Sequence, residues 1–161
     1  MAQYATGNRE DALDIVQDSM LTLVRRYGDR SASDWGPLFQ CILQSRINDW
    51  HRRSKVRKRL RAWLSFGGDD DEEEADPLQQ LPDERAREPA DQLAGVQAIE
   101  HLDSALRKLP LRQQQAFLLR IWEGMDVKAT AQAMNCSEGS VKTHYFRAVQ
   151  SLRQQLGEHW P

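Results

Sequence analysis

The sequence predicts an all-α protein of two small helical domains joined by an acidic flexible linker, the C-terminal domain a helix-turn-helix. Three observations carry that expectation. Apolar residues recur at three- and four-residue spacing through both ends of the chain, the period of amphipathic helices. Between them lie Gly67-Gly68, the acids Asp69 through Glu74 and the prolines Pro77, Pro82 and Pro89, with little to pack. Near the C terminus a short helical pattern, the polar turn Asn135-Cys136-Ser137 and a longer amphipathic pattern follow in order.

The first helix is expected from Asn8, a capping residue, to Tyr27, with Gly28 as its stop. Leu13, Val16, Met20, Leu23, Val24 and Tyr27 form its apolar stripe, and Asp11, Asp14 and Asp18, with Gln17 beside them, lie on the face away from it. A polar loop spans 29–35. A second helix is expected to start at Pro37, whose fixed φ and missing N–H suit a first helical position, and to bury Phe39, Ile42, Leu43, Ile47 and Trp50. Gln40, Gln44, Asn48 and Arg52 follow every fourth position on its other face and lead into a basic block that runs to Arg61.

Past the linker, Ile99, Leu102, Leu106 and Leu109 predict a helix ended by Pro110, and a further helix runs from about Arg112 to Glu123 before Gly124. Asp126 caps a short helix through Met134. The last helix buries Val141, Tyr145, Ala148, Val149, Leu152 and Leu156. The expected division is a domain at 1–62, a linker at 63–94 and a helix-turn-helix domain at 95–161.

Composition narrows the function. With 40% apolar and 29% charged residues, no membrane-length apolar run and no secretory signal order, the expectation is a cytoplasmic protein without membrane insertion. Cys41 and Cys136 read as reduced structural thiols, and no zinc spacing is present. No nucleophile–base pair, phosphate loop or metal cluster points to an enzyme or a cofactor, and the four histidines are scattered. The net charge of -2 conceals a basic stretch set directly against an acidic one, and nucleic acid responds to that local field.

A DNA-reading helix exposes side chains near its N-terminal end while its other face rests on a supporting helix. On the last helix Lys142, Thr143, Phe146 and Arg147 oppose the apolar stripe, flanked by Ser140 and His144. The cations suit phosphates or guanine edges, Thr143 a base edge or thymine methyl, and Phe146 the groove wall. Spacing alone is equally met by a solvated face on a helical hairpin. The stretch from Val127 to His144, VKATAQAMNCSEGSVKTH, resembles region four of the sigma-70 family, a motif close to the helix-turn-helix of response-regulator activators.

The upstream half decides between them. The run from Gly7 to Asp18, GNREDALDIVQD, resembles region two of the extracytoplasmic-function sigma factors, where the helix docks on the polymerase clamp helices. That resemblance implies core-polymerase binding by Asp11, Asp14, Gln17 and Asp18, a carboxylate surface for a basic partner. Family members carry another region-two helix ahead of this one, so the N-terminal half is expected to be short of a packing helix.

The run from Pro37 to Trp50, PLFQCILQSRINDW, followed by basic residues, resembles the family's minus-ten recognition helix. Capturing an opened strand calls for edge-readers, a stacking surface and cations. Gln44 and Asn48 are the expected edge-readers, with Arg30, Ser31, Ser33, Asp34 and Trp35 as a loop pocket and Arg52, Arg53 and Lys55 on the phosphates. Trp35 either stacks on a base or staples the helix start. The acidic run resembles in placement the family's inter-domain linker; a solubilising spacer is the main alternative, and a screen folded on the basic block a third and lesser one.

The resemblance thus implies a sigma factor, not itself an enzyme. It would bind core RNA polymerase through clamp helices and flap, read promoter DNA at the minus-35 duplex and the minus-10 strand, and be open to an anti-sigma factor. The alternatives are a helix-turn-helix activator that binds duplex DNA without melting it, and a regulatory protein that sequesters a partner.

Overall fold

The computed structural model describes residues 1–64 and 90–157. These form helices α1 (Ala2–Thr6), α2 (Arg9–Tyr27), α3 (Ala32–Leu64), α4 (Ala90–Lys108), α5 (Leu111–Ile121), α6 (Val127–Met134) and α7 (Glu138–Leu156), with no strand among the described residues. The all-α expectation holds, while the acidic run lies outside the described residues.

Local signals set the helix ends. Asn8 Oδ1 accepts from the Glu10 and Asp11 N–H groups at 2.7 and 3.3 Å, satisfying donors that a helix start leaves open. Gly28 closes α2 in a right-handed conformation, φ -57°, and a Cβ there would sit 2.7 Å from the Val24 carbonyl oxygen. Close approach, rather than a left-handed turn, is what calls for glycine.

The packing face of α2 differs from the expected stripe. Ala12, Ile15, Ser19 and Leu23 are buried, whereas Leu13, Met20, Leu21 and Val24 are each about half exposed. Ser19 joins the core because its hydroxyl donates to the Ile15 carbonyl at 2.7 Å, which satisfies its polar group within the helix. Two further corrections concern helix limits. Helix α3 begins at Ala32, so Trp35 is helical and Pro37 lies inside, just past the first turn, where it leaves one carbonyl of that turn without an intrahelical N–H. Helix α1, too short to show a period, precedes α2 and buries Ala2.

Three apolar clusters organise the molecule. One joins Ala2, Ala12, Ile15, Leu43 and Ile47, with Trp50 packed against it as the sequence suggested. A second gathers Ala105, Leu106 and Leu109 with Leu118, Ala148, Leu152 and Leu156, so that α7 closes over α4 and α5. The third holds Ala116, Leu119, Ala131, Ala133, Met134 and Val141 where α5, α6 and α7 meet. The clusters interlock across the two halves: Cys41 of α3 packs on the third, and Leu111 of α5 packs on the first.

The turn between α6 and α7 is fixed by backbone groups. Asn135 adopts φ 50°, ψ 56°, its N–H donates to the Gln132 carbonyl at 3.1 Å, and the Cys136 N–H donates to that of Ala131 at 3.0 Å. This doubly bonded reversal needs a left-handed residue, which asparagine tolerates and β-branched residues do not. Asn135→Val is therefore expected to lower stability by about 1–2 kcal/mol while Asn135→Gly stays near wild type, as measured by urea unfolding.

Candidate nucleic-acid interface

Helix α7 starts at a cap that also orders its reading end. Ser137 Oγ accepts from the Ser140 N–H at 3.1 Å and lies 2.9 Å from Ser140 Oγ. Thr143 Oγ1 donates to the Gly139 carbonyl at 3.0 Å and keeps its lone pairs for an incoming donor. With Val141, Ala148, Leu152 and Leu156 turned into the core, Lys142, Thr143, Phe146 and Arg147 stand exposed on one face. Phe146 is 67% exposed, a large apolar ring held in water beside two cations. Ser140 and His144 are half-buried at the edge of that face.

Burial holds the His144 imidazole below its ordinary value of 6.5, and the guanidinium groups of Arg112 and Arg147 push it the same way. His51 on α3 is lowered too, by burial and then by Lys55 and Lys58. The fold thus favours neutral imidazoles, so on acidification below the unfolded value the unfolded chain takes up protons that the folded chain resists. Stability should be fully present above that value and fall as pH drops through the folded ones. Urea midpoints compared at about pH 7.5 and about pH 5.5 should show this loss, and His144→Gln should reduce it.

Arg112 is a contributor that spacing did not reveal. Its Nη1 donates to the Met134 carbonyl at 2.9 Å, closing the end of α6, and lies 3.4 Å from Gln115 Oε1. A long side chain returning from α5 to a carbonyl 22 positions later has no periodic signature. Phe117 and Tyr145 stack with ring centroids 6.2 Å apart and brace α7 against α5.

In the N-terminal half, the carboxylates of Asp11, Asp14 and Asp18 line one wall of a cleft of about 680 Å³, and Arg46, Arg52, Arg53 and Arg57 of α3 line the other. Asp49 and Trp50 line it as well. The residues expected to meet polymerase and those expected to meet phosphates thus share one groove. Arg52 pairs with Asp49 at 3.3 Å within α3, and Arg46 donates to Thr22 Oγ1 at 3.1 Å, tying α3 to α2. Gln17 and Lys55 are exposed nearby.

Arg30 and Asp34 line a smaller cleft of about 330 Å³ with Tyr27, Pro37 and Leu38, while Ser33 bonds Ser31 side chain to side chain at 2.7 Å. Trp35 is half-buried and its indole N–H is buried without a partner among the described residues.

Both expected edge-readers are engaged within the fold, Gln44 buried and Asn48 half-buried. Gln44 is fully buried, its amide donating to Met1 Sδ at 3.7 Å, and Asn48 Oδ1 accepts from Gln115 Nε2 at 3.0 Å. Gln40 and Gln44 of the α3 stripe are buried where α1 and α6 pack on α3, and Asn48 meets Gln115 of α5, while Arg52 stays exposed; such contacts between distant segments are not encoded in a local pattern.

Known proteins share this organisation. The family model described as sigma-70, region 4, matches residues 99–152, which hold α5, α6 and most of α7. The chain is 31% identical over 147 residues to the RNA polymerase sigma-E factor of Streptomyces antibioticus, covering 91% of this chain and 71% of that protein. It is 26% identical over 155 residues to the ECF RNA polymerase sigma factor BldN of Streptomyces coelicolor, spanning 95% of this chain but only 53% of that relative. The fold matches the sigma factor RpoE of Bartonella quintana, solved in complex with the anti-sigma factor NepR. That match has a TM-score of 0.58 and 23% identity, over 96% of this chain and 86% of that one. With helices α2 and α3 upstream of a region-four helix-turn-helix, the chain belongs to the extracytoplasmic-function group of the sigma-70 family of RNA polymerase sigma factors.

Proposed function

We propose that the chain is a dissociable specificity subunit of RNA polymerase, acting in the cytoplasm through binding rather than catalysis. The observation that carries this reading is the exposed, cap-ordered face of α7 joined in one chain to the α2–α3 cleft. Lys142, Thr143, Phe146 and Arg147, with Ser140 and His144 at the edge, read the minus-35 duplex in the major groove. Asp11, Asp14, Gln17 and Asp18 offer carboxylates and an amide to the basic surface of the polymerase clamp, and the region-four domain meets the flap. The opened minus-10 strand is held by Arg52, Arg53 and Lys55, flanked by Arg30, Ser33 and Trp35, and read by Gln44 and Asn48 once their contacts to Met1 and Gln115 open. An anti-sigma factor is a further partner, as in the NepR complex of the structural neighbour.

The experiment is reconstitution. Purified chain is added to core polymerase, and promoter-specific transcripts are measured from fragments with intact or scrambled upstream elements. Element-dependent transcripts support the reading, and absence of core binding rejects it. A second reading, an activator that binds duplex without melting it, is favoured by one observation: the α7 face is open while Gln40 and Gln44 of α3 are buried. Permanganate-reactive thymines in the start region separate the two, because only a subunit that holds the opened strand produces them.

A further inference from the structure

We propose that the outward stripe of α2 is a self-association surface, through which two copies of the chain pair antiparallel about a two-fold axis at Met20.

Four of the large apolar side chains that stand exposed among the described residues belong to this one helix. Leu13, Met20, Leu21 and Val24 are 50, 47, 53 and 53% exposed, and none of them joins an apolar cluster. At about 100° per residue, Leu13, Met20 and Val24 fall within about 40° of arc and Leu21 about 60° beyond Val24. Val16 and Tyr27, half-buried, continue the stripe toward the core. Singly such residues are ordinary surface, whereas four on neighbouring turns of one face form a patch that favours a partner over water.

Spacing and charge name a second copy as the occupant. Leu13, Val16, Met20, Val24 and Tyr27 are separated by three, four, four and three positions, intervals that read the same in both directions. An antiparallel copy of α2 centred on Met20 therefore sets Leu13 level with Tyr27, Val16 level with Val24 and Met20 against itself, the isologous contact of a two-fold dimer. Charge follows the same symmetry. Asp14 and Arg25 lie about 20° apart around the helix, both beside the stripe on the edge away from the core. Both are exposed, and neither forms an ion pair among the described residues. Reversal about Met20 brings Asp14 of one copy within about one residue's rise, ~1.5 Å along the axis, of Arg25 of the other, and does so twice per dimer. A parallel pairing would instead set Asp14 against Asp14 and Arg25 against Arg25.

Pairing covers Asp14 and Gln17, so it excludes the clamp docking proposed for them. That consequence rests on the clamp reading, while the pairing itself does not. The patch is small, which puts the dimer in the transient class, with a Kd of roughly 1–100 μM.

Sedimentation equilibrium of the full-length chain over about 1–200 μM measures the pairing, and wild type should pass from monomer to dimer across that range. Met20→Lys sets two ammonium groups together on the two-fold axis and should weaken pairing about 30-fold or more. Asp14→Arg and Arg25→Asp should each weaken it about 3- to 10-fold. An equimolar mixture of those two variants should recover wild-type pairing within about twofold, because only their heterodimer opposes arginine to aspartate at both contacts. Misfolding of either variant cannot produce that recovery. A wild-type chain that stays monomeric throughout, or a mixture that pairs no more tightly than its components, would overturn the proposal. So would a monomeric chain whose binding to core polymerase falls on Met20→Lys, since the stripe would then belong to polymerase. Recovery in the mixture without competition from core polymerase leaves the dimer standing and removes the clamp reading; core binding by a chain that never dimerises does the reverse.

Discussion

Replacing Lys142 and Arg147 together by alanine should weaken binding to the minus-35 duplex about a hundredfold at fixed salt, with circular dichroism unchanged. Both side chains are exposed and form no hydrogen bond or ion pair among the described residues, so their removal leaves the core intact. A guanine contact contributes about 1–3 kcal/mol of discrimination, so two such contacts reach a hundredfold. If they meet phosphates instead, the slope of log affinity against log salt should become shallower by about 0.9 per cation removed. Fluorescence anisotropy across a salt series distinguishes the two roles. A double variant that binds as wild type would remove α7 from the interface.

Leu152→Ala should cost about 2–5 kcal/mol of stability and lower the thermal midpoint accordingly, the range for emptying a close-packed leucine site. Leu152 has no exposed surface and lies among Leu106, Leu109, Leu118 and Ala148, where α7 closes over α4 and α5. Leu13→Ala on α2 provides the contrast, since its side chain is half in water and should cost well under half as much. Differential scanning calorimetry of the two variants checks the ranking, and equal losses would contradict the packing described for both helices.

Much of the fold was legible because its signals are local. Asn8, Asp126 and Ser137 accept N–H groups within three residues, and the left-handed Asn135 sits one residue past α6, so short windows of sequence contain each device whole. The α7 face was legible for a related reason: Val141, Ala148, Leu152 and Leu156 set the inward direction, and everything opposite points outward. Where partners lie far apart in sequence, the pattern fell short. The α2 stripe is broad enough to offer two faces, and its neighbours chose the one holding Ala12, Ile15 and Ser19. Gln44 and Asn48 looked solvent-facing because a stripe of amides reads as polar surface. Gln44 meets Met1, 43 positions before it, and Asn48 meets Gln115, 67 positions beyond it, and no periodicity reaches those distances.

The reversal at Asn135 and Cys136 separates what α7 exposes from what keeps the domain folded. The angle between α6 and α7 is held by two backbone N–H groups, a serine cap and the Arg112 guanidinium, and not by any exposed residue of α7. Lys142, Thr143, Phe146 or Arg147 can therefore be exchanged one at a time, changing whatever the α7 face meets, without first having to rebuild the domain that presents them.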